Sequence, residues 1–261
     1  MIRVINIMLD VENEMFLSSP SISTCKFREK KSNCQKIFFF FRNFAENSRF
    51  FDKNEDMIYI NDHLFDFDLD AALAQLSEQR REQALRYRHE LGRRTCAAAY
   101  LLLCEGLKKE YGITEKPIFE YGEHGKPSIV GRPDIHFSLS HCREAAICVV
   151  SDRPVGVDVE TIHRYSESLV RYTMNDKEIA HILASARPDL AFTRLWTQKE
   201  AVVKCTGEGI NNDLKNVLSN FLADKKLPSP SGEGQGERLL TVENPDGCYV
   251  YSVCYSDFSR L

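Results

Sequence analysis

One segment near the middle of the chain, Pro154-Val-Gly-Val-Asp-Val-Glu160, constrains the fold more than any other. Its valines alternate with Gly156, Asp158 and Glu160, and a β-strand places alternate side chains on opposite faces. One face is therefore apolar, and the other carries two carboxylates about 7 Å apart. Two ionised carboxylates repel each other unless a cation lies between them, and Mg²⁺ prefers oxygen ligands. Taken alone, however, the segment fits a strand with a solvated acidic face better than a metal site.

Strand-like and helix-like segments follow one another around this segment without a regular βαβ repeat. The pattern predicts helices at 68–76, 94–111, 166–186 and 196–205, and strands at 57–60, 117–121, 135–139, 145–150, 155–159, 238–242 and 248–254. Gly112 is a predicted C-cap, and Asp68 or Asp70 a predicted N-cap. This mixture indicates an α+β fold with antiparallel sheets.

The composition excludes several classes of function. The net charge of −4 makes nucleic acid an improbable partner, and no stretch reaches the ~20 apolar residues that span a bilayer. Nine cysteines, an odd number with no C-x-x-C pair, argue against a disulfide framework and against zinc. With no recognisable export signal, we expect a cytoplasmic protein with reduced thiols and no membrane association.

Two parts of the chain differ in composition from the rest. Residues 1–56 contain a serine-rich stretch and a run of phenylalanines, before a clear strand pattern begins at Met57. We therefore interpret 1–56 as an N-terminal extension, disordered or arising from an early start codon. Residues 228–236 are rich in proline, serine and glycine, which predicts a mobile loop.

A second segment, Trp196 to Gly209, places Glu200 and Lys204 four residues apart on a predicted helix. A carboxylate beside an ammonium group is suited to bind a metal ion and a phosphate together. Two simpler explanations remain open: Glu200 and Lys204 form a stabilising surface pair, or Thr197 and Glu200 form a capping box at a helix start.

Three further segments carry candidate phosphate-binding groups. Ser140 and His141 end a predicted strand, where their side chains are suited to donate hydrogen bonds, although an ordinary turn histidine explains His141 equally well. Lys126 follows Gly125 in a turn, but the P-loop pattern is absent. The arginine-rich stretch 80–94 fits a small phosphorylated ligand better than a duplex, or it forms a solvated helix face.

Each of these motifs is weak alone, but their order and spacing together resemble the 4′-phosphopantetheinyl transferases of the surfactin-synthetase-activating type. The motifs are Gly125-Lys126-Pro, Phe137-x-x-Ser140-His141, Gly156-Val-Asp158-Val-Glu160 and Trp196-Thr-x-Lys199-Glu200-Ala-x-x-Lys204-x-x-Gly207-x-Gly209. The resemblance runs from about Met57 to the end of the chain and leaves residues 1–56 unexplained.

The resemblance implies two similar halves, 57–152 and 153–261, packed as a pseudo-dimer with coenzyme A between them. It implies transfer of the 4′-phosphopantetheine group of coenzyme A to a serine of an apo acyl or peptidyl carrier protein, by a monomeric enzyme. The implied residues are, for Mg²⁺, Asp158, Glu160 and Glu200; for catalysis, Glu200 and Lys204; for the nucleotide, Lys126, Ser140 and His141; and for its 3′-phosphate, Arg80, Arg94 and Thr95.

Three questions stay open at this point. The general base is Glu200, Glu178 or a water molecule, since Glu178 matches a family acid by position only. The first alternative function is a catalytically inactive module that binds coenzyme A or the carrier. The second is another Mg²⁺-dependent enzyme that cleaves a pyrophosphate.

Overall fold

The computed structural model describes residues 3–6, 57–162, 166–209, 214–223 and 238–256. Its strands are β1 (Arg3–Asn6), β2 (Met57–Asn61), β3 (Phe119–Tyr121), β4 (Pro127–Ile129), β5 (His136–His141), β6 (Ala146–Ser151), β7 (Val155–Thr161), β8 (Arg238–Glu243) and β9 (Tyr249–Tyr255). Its helices are α1 (Leu69–Gln75), α2 (Glu78–Leu85), α3 (Glu90–Tyr111), α4 (Glu167–Thr173), α5 (Asp176–Ala184), α6 (Pro188–Thr206) and α7 (Val217–Ala223). The predicted loop 228–236, and residues 1–56 apart from 3–6, lie outside the described residues.

The first sheet has the strand order β1-β2-β6-β5. β2, β6 and β5 pair antiparallel, whereas Arg3–Asn6 pairs in parallel with Met57–Ile60 at the edge. Helix α3 packs on one face of this sheet, where Tyr59, Phe137 and Cys148 join its buried Leu102 and Leu103 in one apolar cluster. The strand predicted to begin at Met57 is confirmed.

The second sheet has the order β7-β9-β8 and is antiparallel throughout. The valines of β7 form an apolar cluster with residues of both sheets, among them Ile147 and Tyr251. The predicted apolar face of β7 is confirmed, and so is a mixed fold of helices with small antiparallel sheets. Among the described helices, none is long and apolar enough to cross a bilayer.

The ends of two helices agree with local signals in the sequence. The Asp68 side chain accepts a hydrogen bond from the Ala71 N–H (2.7 Å) at the start of α1, as a capping residue does. Gly112 ends α3 with a φ of 67°, in the left-handed region that favours glycine. Both predicted caps are therefore confirmed.

Helix α6 begins at Pro188 rather than at the predicted Trp196, because a proline is favoured in the first helical turn and the helical pattern already includes Phe192. Thr197 consequently lies in mid-helix, where its hydroxyl contacts Arg194 O and Ser252 Oγ. The proposed Thr197–Glu200 capping box is wrong. A capping box does occur at the start of α5, between Asn175 and Glu178.

Gly156 allows β7 to approach α6 more closely than any other residue type would permit. A Cβ atom placed on Gly156 would lie 2.0 Å from Ala201 O and 2.3 Å from Cys205 N. Both are backbone atoms of α6, so they cannot move aside as a flexible side chain can. The polar face of β7 therefore rests directly on α6, which carries Glu200 and Lys204.

Candidate active site

The candidate site lies where β5 and β7, the edge strands of the two sheets, run beside each other. Serine hydroxyls join these strands: the Val157 N–H donates to Ser138 Oγ (3.0 Å), and the Val159 N–H donates to Ser140 Oγ (3.2 Å). Both serines are buried. Asp158, between the two valines, is thereby held at the junction of the sheets.

Asp158 is 4% exposed, so the interpretation of β7 as a strand with a solvated acidic face is wrong at this residue. Its Oδ1 atom accepts hydrogen bonds from Ser140 Oγ (2.8 Å) and from the Lys204 ammonium group (2.6 Å). Lys204 also donates to Ser140 Oγ (3.2 Å), which closes a three-membered network. The Lys204 side chain remains 31% exposed, and its ammonium group can therefore meet a ligand from solvent.

Glu200 lies one helical turn before Lys204 and adds a third charge to this network. Burial raises the pKa of Glu200, and the negative charges of Asp158 and Glu160 raise it further, while Lys204 opposes the effect. Glu200 Oε1 and Asp158 Oδ2 are both buried and have no hydrogen-bond partner. Two carboxylate oxygens at the site thus accept no hydrogen bond from any described residue.

Trp196 holds the Glu160 carboxylate by a hydrogen bond. The indole Nε1–H donates to Glu160 Oε1 (3.2 Å), and the indole ring stacks on Phe192 with the ring centroids 6.4 Å apart. Leu169 and Thr193 also line the small pocket beside this carboxylate. The predicted i,i+4 spacing of Trp196, Glu200 and Lys204 therefore does place all three residues toward the polar face of β7.

The chemistry of these groups fits Mg²⁺, although the described residues contain no formed metal site of three or more His, Cys, Asp or Glu side chains. The donors are hard carboxylate oxygens, and two of them are buried without a partner. The Lys204 ammonium group contacts Asp158 and supplies one positive charge there. The sequence-predicted ligands Asp158, Glu160 and Glu200 are thus neighbours, and Asp158 and Glu200 each keep one oxygen without a hydrogen-bond partner.

Sequence patterns gave no role to Lys199, which is fully buried beneath the site. Its ammonium group forms an ion pair with Glu178 Oε2 (2.8 Å). It also donates to the carbonyl oxygens of Thr173, Leu214 and Lys215. Because no local pattern distinguishes such a lysine from a surface one, only the tertiary structure reveals that it joins α4, α6 and the segment before α7.

A second group of candidates surrounds Arg80, beside His141, which directly follows Ser140 at the end of β5. The Arg80 side chain is buried at 9% exposure, and its Nε atom has no hydrogen-bond partner. Its other nitrogens donate to Gln83 Oε1 (2.8 Å) and Cys96 O (3.5 Å). A buried guanidinium group with a free donor is suited to bind an anion.

His141 lies near Arg80, and the Tyr87 ring contacts it edge-on with the ring centroids 6.2 Å apart. Sequence patterns had not suggested Tyr87. Burial, together with the positive charges of Arg80 and Lys204, lowers the pKa of His141 to about 4. The imidazole is therefore neutral at pH 7 and can both donate and accept a hydrogen bond.

Arg94 and Thr95 are occupied by contacts within the protein. Arg94 is only 12% exposed; it pairs with Glu90 (2.7 Å) and lies over the rings of Phe65 and Phe67. It also donates to Phe67 O (2.8 Å), so that it holds the 64–67 loop. The Thr95 hydroxyl donates to Gly92 O (3.1 Å).

Lys126 lies apart from this group, at the tip of the β3–β4 hairpin. Its ammonium group donates to Cys205 O (2.7 Å) and Val155 O (3.5 Å). The structure therefore brings Ser140, Asp158, Glu200 and Lys204 together, and places Arg80 beside His141. It places Lys126 at the end of α6.

The depressed pKa of His141 predicts a specific dependence of stability on pH. As the pH falls from about 6.5 toward 4, a histidine in the unfolded chain binds a proton that folded His141 does not bind. The free energy of unfolding should therefore decrease by roughly 1–3 kcal/mol over this interval through His141. Urea unfolding at a series of pH values measures the decrease, and His141→Gln should remove it.

The exposed His89, replaced by glutamine, provides the control for that measurement. An unchanged pH dependence in His141→Gln would contradict the assigned environment of His141.

Comparisons with known proteins agree with the resemblance seen in the motifs. Residues 154–243 match the family model of the 4′-phosphopantetheinyl transferase superfamily. The chain is 24% identical over 200 residues to 4′-phosphopantetheinyl transferase Sfp of Bacillus subtilis (strain 168), covering 76% of this chain and 89% of the relative. It is 27% identical over 182 residues to 4′-phosphopantetheinyl transferase psf-1 of Bacillus pumilus, covering 69% of this chain and 78% of the relative. It is 28% identical over 207 residues to 4′-phosphopantetheinyl transferase gsp of Aneurinibacillus migulanus, covering 77% of this chain and 83% of the relative.

Proposed function

We propose that this chain, a homologue of the 4′-phosphopantetheinyl transferases, moves the 4′-phosphopantetheine group of coenzyme A onto a serine hydroxyl of an apo carrier protein and releases 3′,5′-ADP. One observation carries the proposal: Asp158, Glu200 and Lys204 meet at the junction of the two sheets. The segments that supply them are the ones in which the chain resembles its relatives. A protein that only binds coenzyme A has no need for two buried carboxylate oxygens that lack a hydrogen-bond partner.

We assign Mg²⁺ to Asp158, Glu160 and Glu200, which would hold it together with the pyrophosphate of coenzyme A. When bound, the ion offsets negative charge on the pyrophosphate oxygens. The unpartnered oxygens Asp158 Oδ2 and Glu200 Oε1 support this assignment. Lys204, partly exposed beside them, contributes a second positive charge toward the phosphates.

The proton of the attacking serine requires an acceptor, and Glu200 suits this role better than Glu178. Glu178 is already engaged in the capping box of α5 and in the ion pair with buried Lys199. Glu200 has an oxygen without a hydrogen-bond partner, which leaves it able to accept the proton. The serine Oγ then bonds to the β-phosphorus, and the bond from that phosphorus to the 3′,5′-ADP oxygen breaks.

The nucleotide end of coenzyme A is assigned to the group around Arg80. The free donor of Arg80 and the neutral imidazole of His141 support binding of the 3′-phosphate there. We assign Thr95 to the same end of coenzyme A, since it directly precedes Cys96, whose carbonyl oxygen accepts from Arg80, and we assign Ser140 to the pyrophosphate. Arg94 supports the same region by holding the 64–67 loop.

The proposal includes the two halves, 57–152 and 153–261, as a pseudo-dimer around the junction of β5 and β7. The separation of the sheets supports it, because β2, β5 and β6 precede residue 152 and β7, β8 and β9 follow it. We further propose a monomer in the cytoplasm. The seven cysteines of the described residues are free thiols, which suits a reducing compartment.

The function is tested by incubating the full chain with coenzyme A, Mg²⁺ and apo carrier proteins, followed by mass spectrometry of the carrier. The expected result is a mass gain of one phosphopantetheine group, absent without Mg²⁺ and absent when the acceptor serine is replaced by alanine. Release of 3′,5′-ADP without carrier modification would indicate a hydrolase. Binding of coenzyme A without either product would indicate an inactive module.

The metal assignment predicts opposite effects of Glu200→Gln without and with Mg²⁺. Without divalent cations, the variant should melt a few degrees above the wild type, because a neutral amide relieves the repulsion from Asp158 and Glu160. With Mg²⁺ and coenzyme A, the wild type should gain more stability than the variant, since a ligand that binds the folded state stabilises it. Differential scanning calorimetry measures both shifts.

Glu208→Gln is the control, because Glu208 is exposed beyond the end of α6 and its replacement should change neither melting temperature. If Mg²⁺ left the melting temperature of the wild type unchanged in the presence of coenzyme A, the metal assignment would be wrong.

A further inference from the structure

The hairpin between β3 and β4 contacts the end of α6, although some eighty residues separate them along the chain. The hairpin turn is closed by two backbone hydrogen bonds, from Gly122 N–H to Lys126 O (3.0 Å) and from Gly125 N–H to Gly122 O (2.9 Å). Gly125 has a φ of 79°, which suits glycine at this turn. Lys126 follows directly and points at α6.

The stem of Lys126 packs against the residue that ends α6. Gly207 takes a left-handed φ of 75°, and a Cβ atom there would lie 3.1 Å from Lys126 Cδ. A Cβ atom on Gly209 would likewise lie 3.1 Å from His124 Cβ. The Gly207-x-Gly209 motif is therefore the surface on which the hairpin rests, and the two sequence motifs form one contact.

The ammonium group of Lys126 binds carbonyl oxygens from two different elements. Cys205 O belongs to the last turn of α6, where carbonyls have no partner within the helix and carry the negative end of the helix dipole. Val155 O belongs to the first residue of β7. Burial lowers the pKa of Lys126, as expected for an ammonium group enclosed by protein.

These two carbonyls lie close in sequence to the residues of the candidate site. Cys205 follows Lys204 directly, and Val155 precedes Asp158 by three residues on the same strand. Lys204 and Asp158 are in contact at 2.6 Å. A displacement of the end of α6 relative to β7 would therefore separate this pair.

We infer that Lys126 is a positioning residue: its ammonium group fixes the last turn of α6 against the start of β7 and so keeps Lys204 and Asp158 in contact. The importance of this role for phosphopantetheine transfer rests on the function proposed above. This role differs from the direct contact with the nucleotide that the family resemblance implies for Lys126.

The test uses Lys126→Met, which keeps the length of the side chain and removes the charge, and Lys126→Arg, which keeps a cation. Lys116→Met is the matched control, because the Lys116 ammonium group also binds carbonyls at a helix end, Ala74 O in α1 and Leu76 O just after it, away from the candidate site. Each full-length variant is compared with the wild type in kcat and KM for coenzyme A, in coenzyme A binding by calorimetry, and in hydrogen exchange.

Lys126→Met should lower kcat by about 10- to 100-fold, the scale of a misplacement of about 1 Å, with little change in the affinity for coenzyme A. Hydrogen exchange should rise several-fold in peptides that cover the last turn of α6 and the start of β7. Lys126→Arg should retain most of the wild-type kcat and most of the wild-type protection from hydrogen exchange. Lys116→Met should change exchange only near α1 and leave kcat unaltered.

Two results would overturn the inference. A raised KM and a weaker affinity for coenzyme A, with unchanged kcat and unchanged exchange, would show a direct ligand contact. Wild-type exchange at α6 and β7 in Lys126→Met would exclude positioning whatever the activity. If exchange rises as expected but the wild type modifies no carrier protein, the proposed function fails while the contact still fixes α6 against β7.

Discussion

Replacing Asp158 with asparagine should lower the rate of carrier modification by at least about 10²–10³-fold, the usual effect of losing a preorganised electrostatic group. The amide oxygen can still accept the hydrogen bond from Ser140, but the negative charge that faces Lys204 and the proposed metal is lost.

The same substitution should leave the protein folded. Loss of the contact with Lys204 costs little, since the Lys204 side chain is 31% exposed and water can solvate its charge. Removing one negative charge also relieves the repulsion between Asp158 and Glu200. We therefore expect the midpoint of thermal unfolding without Mg²⁺ to change only slightly.

Both properties are measured on one preparation, by calorimetry without Mg²⁺ and by carrier modification over a Mg²⁺ titration. Asp134→Asn is the matched control, because Asp134 is an exposed partner of Arg132 and its loss should affect neither measurement. Near-normal transfer by Asp158→Asn would refute the assignment of Asp158 to the metal. Loss of the unfolding transition would instead make Asp158 a structural residue.

Gly156→Ala should reduce the free energy of unfolding by about 3 kcal/mol, the upper part of the usual range for overpacking. Alanine normally stabilises a strand position that it fits, by about 0.4–1 kcal/mol. Here its methyl group would meet Ala201 O and Cys205 N of α6 at impossible distances, so the sign of the effect reverses. The rate of carrier modification should fall as well, because the added methyl group forces β7 and α6 apart.

Urea unfolding and the carrier assay measure these two effects. Gly122→Ala is the control: a Cβ atom on Gly122 has only Lys126 O within 4 Å, at 3.7 Å, and we expect a small change in stability. A Gly156→Ala variant as stable as the wild type would mean that β7 and α6 are not in the close contact described.

The sequence alone predicts the elements whose signals are local. The alternation of valines predicts β7 and its buried face, and Asp68 and Gly112 mark helix ends, because these signals lie within a few residues. The start of α6 was predicted too late, since Thr197 and Glu200 have the spacing of a capping box in mid-helix. A local pattern cannot distinguish this spacing at a helix start from the same spacing in mid-helix.

The arrangement of the candidate site depends on contacts between distant residues, which periodicity does not report. The Ser140–Asp158 hydrogen bond spans 18 residues, the Lys126–Cys205 contact 79, and the Lys199–Glu178 pair joins two helices. Motif spacing therefore identified the residue types, but the burial of Lys199, the contact of Tyr87 with His141 and the engagement of Lys126 required the fold.

The hydrogen bond from Trp196 to Glu160 has a practical consequence, because Trp196 is the only tryptophan of the chain. Indole emission depends on the electric field and on polar groups around the ring, and here one of those groups is a proposed ligand of Mg²⁺. All tryptophan fluorescence of this protein therefore originates beside Glu160. Binding of a cation or a phosphate can be followed optically, without a label and without turnover, in the wild type and in variants that transfer nothing.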